Sequence, residues 1–302
     1  MTWQTFGFEN IKKYFEKAMA EDSLEHSYLF SGQEMIGKRV FALELGYFLK
    51  RPEAEWGHFF ERRREKVCPP RPLEIFNPDL FMLGDENTGI DQVRNLKKFL
   101  SLKPYSSRYK VAIIDNANQM GVEAANAMLK VLEEPPAHSL IILISANPQG
   151  LLPTIYSRCV EIKFAPHSRK ELLKHLEQME LNKAQAEFLT DFSNGCLGLA
   201  YRLEEKDAFQ SIKKNLESFN KILKLNLNDR IKFAEKVLAG DDGSEQAVEL
   251  LLYWMFYLRS DFSKKLKINR AKVLRNILET RQILSQPQFN QRLALENLLI
   301  NL

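Results

Sequence analysis

The chain lacks what extracellular and membrane proteins need. Its 302 residues include only three cysteines, Cys68, Cys159 and Cys196, set too far apart for a disulfide framework or a local C-x-x-C metal knuckle. They read as buried or incidental thiols, because a free cysteine packs as a small hydrophobe. No apolar run approaches the ~20 residues that cross a bilayer, and the opening MTWQTFGFEN has neither the basic nor the apolar region of a secretory signal. A cytoplasmic chain with no membrane segment is expected. Charge of one sign is missing as well: 43 Lys and Arg stand against 39 Asp and Glu, a net charge of +4. That balance selects no partner, although local basic surface would still suit nucleic acid. At this length two or three domains are expected, with ample residues for a core.

The densest signal lies in residues 110–136, KVAIIDNANQMGVEAANAMLKVLEEPP. Val111 to Ile114 is a short apolar run that reads as a buried strand, ending in the acid Asp115. Ala124, Ala125, Met128, Leu129 and Leu132 then recur at helical spacing until Pro135 and Pro136 forbid continuation. A strand that delivers an acid to a sheet edge before a helix is the setting of a phosphate or metal site.

A second such setting precedes it. In HSYLFSGQEMIGKRV, residues 26–30 read as a strand, 31–38 as a glycine-containing turn and 39–49 as a helix. Strand, G-x-x-x-x-G-K, helix is what a P-loop requires: Gly32 and Gly37 let backbone N–H groups wrap phosphates, and Lys38 adds a point charge. The residue that should follow is Ser or Thr, whose hydroxyl holds magnesium. Here it is Arg39, a side chain with donors only, which cannot ligate a cation.

The rest of the chain sorts into segments. Residues 2–22 look helical. Residues 50–78 are irregular, with the basic run Arg62-Arg63-Arg64, and read as an insertion. A strand restarts near residues 77–82, Thr88-Gly89-Ile90-Asp91 opens a basic helix to about Leu102, and residues 139–146 and 160–164 are further strands. This alternation over residues 26–164 is the pattern of a parallel sheet covered on both faces. From Pro166 the β signal disappears. Ser168 with Glu171 forms a capping box, and three short helices follow. After Asp207 the chain reads as helical to its end, with Tyr253, Trp254, Phe256 and Tyr257 crowding one helix beyond a single core-facing stripe. An α/β domain over 1–165, a helical lid over 166–206 and a helical domain over 207–302 are expected.

In this order, HSYLFSG, GIDQVRNL, the strand ending in Asp115, EAANAMLKVLEEPP and TIYSRC resemble the clamp-loader branch of AAA+ proteins, and within it the delta-prime family of bacterial DNA polymerase III. The resemblance covers residues 1 to about 205. It implies a RecA-like ATPase domain, a helical lid and a C-terminal collar. It also implies partners: gamma/tau-type ATPase subunits, a clamp-opening delta subunit, and, through the complex, the sliding clamp and primed DNA.

Carried over residue by residue, the resemblance implies a damaged nucleotide site. Hydrolysing relatives end the Walker B strand in Asp-Glu, whereas Asp115 is followed by Asn116, an amide with no useful basicity. Their sensor-2 arginine corresponds to Gly198, and Arg202, four residues on, is not expected to substitute. With Arg39, these departures imply a subunit that does not hydrolyse ATP, requires no cofactor and retains at most residual ATP or ADP binding at Gly32, Gly37, Lys38 and Asp115. By contrast Arg158, in the SRC triplet, matches the arginine finger that relatives present to ATP on the adjacent subunit. Zinc is not expected, since only Cys68 and His58 lie where relatives often carry four cysteines. Two other readings stay open: an active gamma/tau-like ATPase using Gly32, Gly37, Lys38 and Asp115, and a DNA-binding or scaffold module in repair using the basic helix from Arg94 to Lys103.

Overall fold

A computed structural model describes residues 3–49, 78–84, 89–179, 181–204, 217–240, 242–259, 269–284 and 289–302. The expected insertion over 50–78, with its basic run, His58 and Cys68, lies almost wholly outside the described residues. The described chain divides into two compact units, one of residues 1–167 with Cys196–Gly198, the other of Ser168–Gly195 and Leu199–Leu302.

Five parallel strands form the centre of the first unit: β1 (Ser27–Ser31), β2 (Leu80–Leu83), β3 (Lys110–Ile114), β4 (Ser139–Ser145) and β5 (Val160–Lys163), in the order β2-β3-β4-β1-β5. Tyr28 pairs with Ile142 on one side and Val160 on the other, and Ala112 with Ile141. Every residue of β1, β3 and β4 is buried, which is why those strands read as unbroken apolar runs rather than as alternating ones.

Alternation reappears in which face each side chain joins. Tyr28, Phe30, Ile113 and Ile142 pack with Phe15 of α1 (Glu9–Ala20) and with Phe41 and Leu45 of α2 (Lys38–Phe48). Leu29, Ala112, Ile114, Ile141 and Leu143 pack on the other face. They meet Val93 and Leu96 of α3 (Ile90–Ser101), Met128 and Leu132 of α4 (Val122–Glu133), and Ile155 of α5 (Pro153–Tyr156). Strand order explains the division. From β1 the chain crosses to the far edge at β2 and then returns through β3 and β4, so right-handed connections place α2 on one face and α3 to α5 on the other. The direction reverses between β1 and β4, and a crevice therefore opens at the carboxyl ends of those strands.

The first helix differs from the expectation of residues 2–22. It starts at Glu9, because Gly7 (φ 70°) and Phe8 (φ 60°) adopt left-handed backbone that no helix can include.

In the second unit, α6 (Arg169–Leu176) begins with the expected capping box, Ser168 accepting from the Glu171 N–H. Then follow α7 (Lys183–Ser193), α8 (Leu197–Glu204, in this unit from Leu199), α9 (Leu227–Val237), α10 (Gly243–Arg259), α11 (Arg270–Leu284) and α12 (Gln291–Ile300). Tyr253, Trp254, Phe256 and Tyr257 of α10 are all buried, with Trp254 between Phe219 and Phe233. An all-round apolar helix is here one that is covered all round. No helix among the described residues is long and apolar enough to cross a membrane.

Candidate functional site

The turn between β1 and α2 closes on itself. Gly32 (φ 143°) and Gly37 (φ 115°) supply the backbone that L side chains avoid, and Gly37 caps α2. Lys38, buried at the helix start, donates through Nζ to the carbonyls of Gly32 (2.5 Å) and Gln33 (2.7 Å). Its ammonium is aimed at the loop's own oxygens, where a working P-loop aims it at phosphate. Burial pulls its pKa down to about 8, against the opposing pull of Asp115, Glu34 and Cys196.

The same turn is held from outside by residues 196–198. Met35, at φ 58°, offers its carbonyl to the Gly198 N–H at 2.8 Å, and the Cys196 thiol donates to Gln33 Oε1 at 3.2 Å. A Cβ on Gly198 would stand 2.6 Å from the Met35 oxygen. Gly198 therefore has a packing reason to be glycine: the position expected for a phosphate-sensing arginine is pressed against backbone. Within the second unit, Arg202 is engaged by Glu249 at 2.8 Å. Gly198→Ala is expected to destabilise the chain by about 1–3 kcal/mol, read as a lowered urea midpoint with an unchanged slope. An unchanged midpoint would show that Met35 moves aside freely.

At the end of β3, Asp115 pairs with Arg39 at 3.6 Å, both side chains mostly buried. The guanidinium brings a positive charge to the carboxylate that would organise magnesium, but it offers no lone pair for a metal or a nucleophilic water. Asn116 sits at φ 50° with its N–H on Asp115 Oδ1. Left-handed backbone of this kind is one that Asn tolerates well. Ser145, at the neighbouring end of β4, donates to Asn118 Oδ1 at 2.8 Å. That contact was not anticipated, and its one trace in the sequence is a serine closing an apolar strand. At the two positions beside Lys38 and Asp115 the chain therefore offers a guanidinium, Arg39, and an amide, Asn116. No cluster among the described residues could hold a metal ion.

Gly32, Gly37, Lys38 and Asp115 thus meet at the carboxyl edge of the sheet. Arg158 does not join them. It follows α5 and precedes β5, and its carbonyl accepts from Ser27 Oγ, at the start of β1, at 2.6 Å. Since β1 and β5 are parallel, Arg158 lies at the amino edge, and the two sites are separated by the length of a five-residue strand, ~16 Å.

At that edge the guanidinium is held twice. Nη1 donates to the Thr154 carbonyl at 2.9 Å, and Nη2 pairs with Glu133 Oε1 at 2.6 Å. In the sequence Glu133 stands out only as one of two acids closing the helix before the prolines; it is a carboxylate at the last position of α4, the helix end where negative charge is disfavoured, and nothing local connects it to Arg158. Cys159, next in the SRC triplet, is a packing residue. Burial raises its thiol to about 11, so it carries no appreciable thiolate near neutral pH.

Residues 7–168 match the family described as DNA polymerase III, delta subunit. The chain is also 31% identical over 220 residues to DNA polymerase III subunit delta' of Bacillus subtilis, covering 71% of this chain and 63% of that one. The chain belongs to the delta-prime/clamp-loader family of DNA polymerase III. Subunit delta' of Pseudomonas aeruginosa is 39% identical to this clamp-loader family member over 142 residues, 45% of this chain and 42% of that one. DNA polymerase III subunit tau of Bacillus subtilis is 29% identical over 196 residues, or 63% and 34%. The matches therefore span between a third and under two thirds of these relatives' own lengths. The segment that carries the family match, residues 7–168, contains the self-closed turn, the Arg39–Asp115 pair and Arg158.

Proposed function

We propose that this clamp-loader family member does not hydrolyse ATP itself and instead supplies Arg158 in trans to ATP held by a neighbouring gamma/tau-type subunit. On this reading the assembled ring, with a clamp-opening delta subunit, loads the sliding clamp on primed DNA. The observation that carries the proposal is the placement of Arg158 at the opposite edge of the sheet from the chain's own P-loop. An arginine ~16 Å from its own phosphate site cannot stabilise a transition state there. On this reading it serves a nucleotide brought to it by a neighbouring subunit.

The chemistry assigned to Arg158 is electrostatic. As the γ-phosphoryl group transfers, negative charge spreads over its oxygens, and a fixed guanidinium stabilises that charge through two directed N–H donors. The chain's own turn supports the complementary half of the proposal. Lys38 is spent on the carbonyls of Gly32 and Gln33, and Arg39 neutralises Asp115 without coordinating a metal.

The purified chain is expected to release phosphate from ATP at the background rate, and Lys38→Ala is expected to leave that rate unchanged. Steady-state hydrolysis by the chain alone that Lys38→Ala abolishes would show an active gamma/tau-like ATPase and sink the proposal.

A further inference from the structure

We infer that Glu133 is the positioning residue for Arg158, holding its guanidinium ready for a phosphoryl group; this rests on the reading of Arg158 as a finger used in trans. Several contacts fix the arginine, among them its backbone N–H on the Ile155 carbonyl at 3.1 Å and Nη1 on Ser157 Oγ at 3.5 Å. Its backbone is tied to β1 through Ser27 Oγ, Nη1 is bound by the Thr154 carbonyl, and Nη2 is bound by Glu133. Two acceptors on the two terminal nitrogens set the plane of the guanidinium as well as its place.

What they leave over is as informative. Among the described residues Nε–H meets no acceptor, and Nη2 keeps a second hydrogen. Nε and Nη2 form the side of the guanidinium whose fork meets two oxygens of a phosphoryl group. The side chain is 34% exposed, so the fork is reachable while its base is anchored.

Glu133 suits this task better than a stabilising one. It occupies the negative end of α4 with Glu134 beside it, where each carboxylate opposes the helix dipole. Its own side chain is 48% exposed, so water screens its charge and the pair leaves much of Arg158's field available to a bound anion. An unanchored arginine would have to freeze several torsions at the moment of engagement, and a displacement of about 1 Å from the productive position costs about a hundredfold in rate.

The test uses the chain assembled with the gamma/tau-type and clamp-opening subunits of its own organism, in a loader whose other nucleotide sites are disabled. Clamp- and DNA-stimulated ATP turnover is measured. Glu133→Ala is expected to lower kcat about tenfold with KM for ATP and the melting temperature unchanged. Glu133→Gln, whose amide oxygen still accepts from Nη2, is expected to stay within about threefold of the parent. Should Glu133→Ala fail to assemble, Glu133→Asp, one methylene short of Nη2, takes its place with the same expected loss.

Arg158→Ala separates the two levels. If it leaves turnover intact, the finger reading itself fails. If Arg158→Ala is slow while Glu133→Ala runs at the parent rate, Arg158 needs no positioning and the inference is overturned. Faster turnover by Glu133→Ala would make the ion pair a restraint on the finger, and a loss in Glu133→Gln equal to that in Glu133→Ala would make charge the operative property. Either result overturns the inference.

Discussion

Arg158→Ala, assembled into a loader in which only the neighbouring nucleotide site can turn over, is expected to lower that site's kcat by about a thousandfold on the proposed role of Arg158. The magnitude follows from what is removed: a cation placed against charge that develops only in the transition state, so that ATP binding is spared and the chemical step is not. Arg158→Lys is expected to recover little, because an ammonium lacks the planar fork and cannot keep both the Thr154 and Glu133 contacts while meeting phosphate. Folding should be nearly untouched. The side chain is a third exposed and its ion pair with Glu133 half-exposed, a class of contact that contributes about 0–1 kcal/mol. Unchanged thermal melting together with lost turnover is the expected pair of results, and parent-like turnover would remove Arg158 from the mechanism.

Asp79→Ala is the substitution with the largest expected effect on stability, about 3–5 kcal/mol. Asp79 is 1% exposed and accepts from the backbone N–H groups of Tyr105, Ser106 and Ser107 while pairing with the equally buried Lys110 at 3.1 Å. Truncation would leave three backbone N–H groups and the Ser106 hydroxyl without their acceptor and an ammonium without its counterion, held by the Pro78 carbonyl and the Phe99 ring. The loop so anchored leads directly into β3, and hence to Asp115. Urea denaturation of the full chain measures the loss.

The same carboxylate makes the stability depend on pH. Burial pushes its pKa up, but the three N–H donors and Lys110 outweigh burial and hold it well below the usual carboxylate range. A depressed pKa stabilises the fold above the unfolded value, about 3.9, and the contribution fades as pH falls from there through the folded-state value. Acid titration of the parent should therefore show a destabilising limb below about pH 4 that is diminished in Asp79→Ala. Parallel limbs would show that other carboxylates govern acid unfolding.

Much of the fold was legible in the residues because it depends on local pattern. Parallel strands buried on both faces must be apolar throughout, so β1, β3 and β4 announce themselves as short continuous runs. Prolines end α4, and the Ser168–Glu171 box opens α6. The start of α1 was misread because the left-handed backbone at Gly7 and Phe8 leaves no periodic trace, and phenylalanine there looks like one more helical hydrophobe.

Chemistry that is missing can be read from one position at a time. Arg39 has no lone pair for magnesium and Asn116 no basicity, whatever surrounds them, so the sequence by itself determined what those two positions cannot offer. Where those groups turn was decided by the tertiary structure. Strand order brings Arg39 to Asp115 and sets Glu133 beside Arg158 at the opposite edge from Lys38, while Gly198 meets the Met35 carbonyl. These partners come from separate elements, and no rule of periodicity or capping connects them. The packing of helices on the two faces of the sheet does so.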